Sequence, residues 1–333
     1  MIPHPFAQSL LQWFATHKRR MPWRDTGDPY AVWLSEVILQ QTRVQQGWAY
    51  WERFMLRFPT VEQLAAATED EVLRLWQGLG YYSRARHLHA AAKRIAALGH
   101  FPDTYDGIRQ LPGVGDYTAA AIASLAFGLP YPALDGNACR VLARHFGIDL
   151  PVNTGAAKRT FKALAEELLP PDRAADFNLA IMDFGSLQCT PTAPQCGCCP
   201  VVETCIAARE NRVPSLPVRP KTISRKTRQF HYIYIRCNGQ TALHRRGPGD
   251  IWQGLWELPL RDTLPSPTCN LPTVVEGLRH ELTHQIIIAS LHLWETDEQP
   301  PLPKDFIWIA EHDIHRYALP RLVEKLLACL PSQ

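Results

Sequence analysis

The chain has 333 residues, 46% of them hydrophobic and 20% charged, with a formal net charge of +3. That is enough for two or three soluble globular domains with cores that need no disulfide staples. No apolar run reaches membrane-spanning length, and Met1-Ile-Pro-His-Pro5 shows neither a secretory signal nor a transit peptide, so the expected setting is cytoplasmic. The mildly basic balance permits a nucleic-acid partner without demanding one.

From the N-terminus to Arg212 the apolar spacing is helical, as in Val61–Gln77 and Ala85–Leu98, with breaks at Gly78-Leu-Gly80 and Leu111-Pro-Gly-Val-Gly115. Asp28 before Pro29 predicts a helix start, with the carboxylate as N-cap and proline in the first turn. The helix that follows carries Glu36 in Val32-Trp-Leu-Ser-Glu-Val-Ile-Leu39. Burial among these neighbours would raise its pKa and keep it protonated near neutrality; a wet helix face or an arginine partner would leave it unremarkable.

Gly113 and Gly115 let the backbone turn tightly, and the helix behind them offers unpaired N–H groups to an anion such as a phosphate. This string reads as the hairpin of a helix–hairpin–helix element. Asp135 precedes the helical stretch Ala138–His145, where the commonest role is an N-cap and where the helix N-terminus favours the ionised form. One protonated and one ionised carboxyl is the pair that cleaves a glycosidic bond through an oxocarbenium-like transition state.

Five of nine cysteines fall between Cys189 and Cys205. Cys189, Cys196, Cys199 and Cys205 are spaced C-x6-C-x2-C-x5-C, which suits four thiolates around one metal centre. The long flanking gaps favour iron–sulfur over zinc without excluding zinc. Cys198 is left as a bystander or substitute ligand. A site that pins the end of the helical domain is favoured over a redox catalyst.

Arg212–Arg228 holds three prolines and six basic residues with no acidic one, and reads as an extended, exposed linker, with backbone contact to nucleic acid as the sharper alternative. Beyond it, Phe230–Arg236, Gln285–Trp294 and Phe306–Ala310 read as strands and Pro320–Leu330 as a helix. The expected organisation is therefore multidomain: an all-α domain over 1–212, a linker over 213–228, and an α+β domain over 229–333.

Taken together, Glu36 in WLSEVILQQTRV, the stretches GLGYYSRAR and LPGVGDYTAAAI, Asp135 in LDGN, MDFGSLQC with the cysteine loop, and IWQGLWELP resemble one family. It is the MutY-type adenine DNA glycosylases, of the helix–hairpin–helix glycosylase superfamily. The resemblance implies removal of adenine mispaired with 8-oxoguanine, or with G, from duplex DNA by a monomer carrying a [4Fe–4S] cluster. It implies that Glu36 protonates the base, that Asp135 stabilises the cationic sugar, and that Tyr117 and Asn137 support the pair. Arg24 would line the adenine pocket. Gln41, Thr42, Leu79 and Tyr81 match the positions that wedge into the duplex. Relatives of the endonuclease III type carry a strand-cutting lysine where this chain has Tyr117, which forms no Schiff base, so a monofunctional enzyme is expected.

The C-terminal half resembles the family's Nudix-like domain. No run of glutamates follows Glu257, so binding rather than hydrolysis is expected. The family's Phe-Ser-His loop appears as Leu282-Thr283-His284, which keeps a hydroxyl and an imidazole but loses the aromatic ring.

Overall fold

The computed structural model describes residues 4–218, 225–264 and 270–331. The helices in chain order are α1 (Pro5–His17), α2 (Pro29–Ile38), α3 (Val44–Arg57), α4 (Val61–Ala66), α5 (Glu69–Trp76), α6 (Ser83–Leu98), α7 (Tyr105–Arg109), α8 (Asp116–Phe127), α9 (Gly136–His145), α10 (Gly155–Leu168), α11 (Ala174–Leu187), α12 (Ile206–Arg209) and α13 (Arg321–Leu327). The strands are β1 (Lys226–Arg236), β2 (Gln240–Arg245), β3 (Trp256–Glu257), β4 (Thr273–Glu281), β5 (Gln285–Glu295) and β6 (Phe306–Ala310). An all-helical region is thus followed by a sheet-containing one, as the sequence patterning predicts.

Local chemistry sets the boundaries. Asp28 caps α2 by accepting a 2.9 Å bond from the Tyr30 N–H, with Pro29 inside the first turn. The predicted helix Val61–Gln77 is instead two. Thr68 stops the first and starts the second through a reciprocal capping box with Glu71, which outweighs the continuous apolar spacing.

By contacts, one compact unit comprises Met1–Gly47, Thr60–Glu62 and Ala90–Lys221, and the second comprises Trp48–Pro59, Gln63–His89 and Thr222–Gln333. These units cut across the linear division at Arg212. In the first, α1, α9, α10 and α11 bury a shared core around Leu10, Phe161, Phe177 and Phe184. In the second, three strands run β1–β5–β4 and three more run β3–β2–β6. β1 and β5 are parallel, while β4 pairs antiparallel with β5.

β1 is covered on both faces. Phe230, Tyr232 and Tyr234 pack with Leu322 and Leu326 of α13, and Ile233 and Ile235 pack the other way. A strand buried on both faces reads as a continuous apolar run, which is how Tyr232–Ile235 appears in the sequence, while His231 before it is exposed.

The linker expectation fails at both ends. Leu216 is 2% exposed, and its carbonyl accepts a 2.9 Å bond from Arg144 Nε of α9. Lys226–Arg228 already belongs to β1, and Arg228 pairs with Asp250. Residues 219–224 of that segment lie outside the described residues. Among the described residues, no helix is long and apolar enough to cross a membrane.

Candidate active site

Glu36 sits in the second half of α2, among Trp33, Leu34, Val37 and Ile38, all at most 5% exposed. A part of its own surface remains open, yet the surrounding protein strips away most of its hydration. Burial pushes its pKa up to about 7, against a lowering hydrogen bond from Tyr117; the Asp135 charge adds to the rise and Arg24 opposes it. Tyr117, on α8, is held well above its ordinary pKa by burial and by the charges of Glu36 and Asp135. Its hydroxyl therefore stays protonated and donates.

Asp135 is the N-cap of α9. Its Oδ1 accepts a 2.7 Å bond from the Ala138 N–H, and its Oδ2 a 2.6 Å bond from Asn137 Nδ2. Its pKa is nevertheless raised, because burial outweighs those bonds and the charge of Arg140. Desolvation therefore outweighs the helix N-terminus, which by itself favours the ionised form. The structure thus brings Glu36, Tyr117, Asp135 and Asn137 into one electrostatically coupled group.

Arg24 also reaches this group, but its hydrogen bonds go elsewhere. Nη1 and Nη2 donate to the two oxygens of Asp183 at 2.7 and 2.9 Å, and Arg19 Nε donates to the same carboxylate at 2.6 Å. Asp183 is 0% exposed; burial alone would raise its pKa, but Arg24 and Arg19 together hold it below the usual range. Sequence reasoning passed over Asp183. The signal was present, since it is the only charged residue in the apolar stretch Phe177–Gly185 of α11.

Behind Asp135 runs a second missed network. Arg140 Nη2 donates to Asn137 Oδ1 at 2.8 Å and to the Gly185 carbonyl at 2.6 Å, while Nε donates to the Cys189 carbonyl at 2.9 Å. α11 passes so close to α9 that a Cβ on Gly185 would lie 2.7 Å from Asn137 Cβ and 3.0 Å from its carbonyl oxygen. The amide that orients Asp135 is therefore fixed from both sides.

The hairpin Leu111–Gly115 joins α7 to α8. Gly113 has φ +75°, in the region glycine favours, while Gly115 caps α8 in extended backbone (φ −92°) with open space where a side chain would be. Nothing in the fold demands glycine at 115.

Cys189, Cys196, Cys199 and Cys205 line one small apolar cavity with Val141, Phe184 and Val201. Arg144 Nη1 lies 3.4 Å from Cys189 Sγ. Burial raises the thiols of Cys196, Cys199 and Cys205, Cys199 to about 11. Cys198 faces away: it is exposed, and its Sγ lies 3.7 Å from the Gln195 carbonyl oxygen. Among the described residues, no group of three or more His, Cys, Asp or Glu is arranged to hold one metal ion.

In the second unit, Tyr81 is exposed and Leu79 is 7% exposed, so Leu79 as placed is a buried support rather than a projecting wedge. Gln41, in the first unit, is exposed, and Thr42 half-buried. Gln41 and Tyr81 both have positive φ, +54° and +48°, a strain that bulky residues retain only where surrounding structure enforces it. Thr283 and His284 are exposed on the β4–β5 hairpin, and Thr283 Oγ1 lies 2.6 Å from the Tyr81 hydroxyl. Both loops line one cavity, together with Trp252 and His280. Leu282 turns inward against the strand core.

Glu257 is 2% exposed and fully engaged: Arg246 Nη1 donates to both its oxygens at 2.8 and 2.7 Å, and the Tyr232 hydroxyl donates at 3.0 Å.

Residues 34–171 match the HhH-GPD superfamily base excision DNA repair proteins, and residues 231–329 match the NUDIX domain. The chain is 30% identical over 345 residues to adenine DNA glycosylase of Buchnera aphidicola subsp. Schizaphis graminum, spanning 98% of this chain and 99% of that protein. It is 43% identical over 213 residues to human adenine DNA glycosylase, spanning 61% of this chain and 39% of that one. A solved thermostable thymine-DNA glycosylase superposes with TM-score 0.56 at 30% identity, over 62% of this chain and 95% of the other. An endonuclease III–DNA complex superposes with TM-score 0.54 at 21% identity over 62% of this chain and 94% of that one, a likeness of fold. Fold and matches together define a helix–hairpin–helix DNA glycosylase of base-excision repair with an appended Nudix-like region. Within that class, the chain belongs to the MutY-type adenine DNA glycosylase family.

Proposed function

We propose that this enzyme hydrolyses the N-glycosidic bond of adenine paired with 8-oxoguanine, or with G, in duplex DNA, and that it leaves the strand uncut. The observation that carries the reading is the pKa of Glu36, held at about 7 beside Asp135 and Tyr117. A carboxylic acid half-protonated near neutrality is a competent general acid. Glu36 protonates the departing adenine, and Tyr117 steadies the carboxyl by hydrogen bond. Asp135, aimed by Asn137 and the Ala138 N–H, stabilises the oxocarbenium-like sugar. Water completes the reaction, because no amine stands at 117.

The base leaves the helix stack to reach these groups, at a cost of roughly a few kcal/mol. The hairpin glycines receive a backbone phosphate, and Gln41, Thr42 and Tyr81 enter the duplex, with Leu79 beneath. Thr283 and His284 read the opposing base. Residues 1–212 then act as the glycosylase domain and 229–333 as the reader, in a monomer.

The cysteine site fits a [4Fe–4S] cluster: four cysteines line one apolar cavity, with the Arg144 guanidinium beside Cys189. When bound, the cluster ties the loop 189–205 to the end of the helical fold. Cys189, Cys196, Cys199 and Cys205 would hold it, and Cys198 would not. Iron and sulfide analysis with an absorption spectrum tests this.

The principal test is adenine release from defined duplexes by wild type, Glu36→Gln and Asp135→Asn. Loss of release in both variants is expected. Release that survives both rejects the assignment, and preferential excision from T:G reassigns the substrate. Borohydride trapping of the enzyme on DNA would contradict the monofunctional reading. Alanine at both Thr283 and His284 is expected to weaken binding to 8-oxoguanine:A more than to G:A.

A further inference from the structure

The loop carrying Tyr81 is built with unusual care. Gly78 and Gly80 have φ of +91° and +78°, and Tyr81 itself +48°. The Tyr50 hydroxyl donates to the Gln77 carbonyl at 2.7 Å, the Gly78 N–H to the Tyr82 hydroxyl at 3.1 Å, and Trp76 Nε1 to the Gly80 carbonyl at 2.9 Å. The backbone beneath Tyr81 is thus pinned on each side, but these bonds do not orient its side chain.

Arg84 does. It stands one turn further on, in α6, and is 8% exposed. Its guanidinium carbon lies 5.1 Å from the centre of the Trp76 ring and 5.5 Å from that of Tyr81, and Nη2 donates to the Gly80 carbonyl at 3.3 Å. Trp76 is 0% exposed and meets Phe54 edge-on at 5.7 Å. The result is a stack that begins in the core at Phe54, passes through Trp76 and the cation, and ends at the exposed ring of Tyr81. Burial lowers the Arg84 pKa to about 10, the mark of a cation short of water. A dehydrated guanidinium binds aromatic faces more strongly than a hydrated one.

From this stack we propose that Arg84 is a positioning residue for mispair selection, holding the Tyr81 ring over the guanidinium in the attitude that meets DNA. The inference rests on the reading of Tyr81 as a duplex wedge and adds what orients it. A flat guanidinium contacts two rings at once; an ammonium of equal charge does not. Replacement by lysine therefore removes the stack while keeping the charge.

The test is a double-mutant cycle on the full chain with Arg84→Lys, Tyr81→Ser and both together. It is read as kcat/KM for adenine release from 8-oxoguanine:A and G:A duplexes, with melting temperature alongside. Arg84→Lys is expected to lower 8-oxoguanine:A turnover about tenfold more than G:A turnover, and to add little to Tyr81→Ser. Arg84→Met, of similar reach, is expected to behave as lysine does. Tyr81→Phe, which keeps the ring but loses the Thr283 bond, should retain the coupling. Equal loss on both duplexes, or a loss undiminished in the Tyr81→Ser background, overturns the role of Arg84. A Tyr81→Ser variant with wild-type selectivity overturns the wedge reading itself, and the inference with it.

Discussion

Two glutamates in apolar surroundings, half-buried Glu36 in the helical unit and buried Glu257 in the strand unit, meet opposite fates. Glu257 has one arginine nitrogen, Arg246 Nη1, donating to both of its oxygens and a tyrosine hydroxyl donating as well. Glu36 has the Tyr117 hydroxyl, while the nearest arginine, Arg24, is bound to Asp183. A paired carboxylate is an inert structural part; a carboxyl kept from its cation takes up a proton near pH 7. The difference separates a carboxyl able to exchange a proton near neutrality from one fixed in an ion pair, and Asp183 engages the arginine that would otherwise oppose the rise at Glu36.

The largest effect expected from disturbing this contrast is Glu36→Gln. Adenine release should fall by about 10² to 10⁴. Stability should move the other way. The folded-state pKa of Glu36 is raised from 4.5 to about 7, so its favourable contribution is full below pH 4.5 and lost as pH rises through 7. At pH 8 that loss is about 3 kcal/mol, which glutamine escapes. Denaturant melts at pH 5 and pH 8 should show the variant gaining on wild type only at the higher pH.

Next in size is Asp183→Asn. Two buried guanidinium contacts lose their counter-charge, at a cost of about 3–5 kcal/mol by chemical denaturation. The freed Arg24 should also pull the Glu36 pKa down, moving the alkaline limb of the pH–rate profile to lower pH. In the wild type that limb should begin near pH 7 and fall about tenfold per unit. An unshifted limb in Asp183→Asn would break the comparison with Glu257. Smallest is Asp28→Ala, which removes the cap of the helix bearing Glu36: about 1 kcal/mol in the melt.

Much of this was legible in the sequence because it is local. The cap at Asp28, the strand Phe306–Ala310, the turn glycine at 113 and the cap at Asp135 all follow from neighbours in the chain, whereas Gly115 makes no tight turn. Glu36 announced itself through its apolar surroundings. The remainder was hidden because it depends on pairs far apart in sequence. Asp183 and Arg24 are separated by 159 residues, and Arg246 looks like any surface arginine until β2 and β3 bring it to Glu257. Leu282 reads as a lost aromatic contact, yet the fold uses it as a core residue. Capping chemistry at Thr68 was legible in principle, but apolar periodicity pointed the other way; the engagement of Leu216 by Arg144, 72 residues away, was hidden behind the proline content.

The missing side chain at 185 has a mechanical consequence. With Gly185 pressed on Asn137, α11 has no slack to slide along α9 without swinging the amide that aims Asp135. Any loosening of that helix pair, by heat or by a bulkier residue at 185, should register first as misaimed chemistry and only later as unfolding.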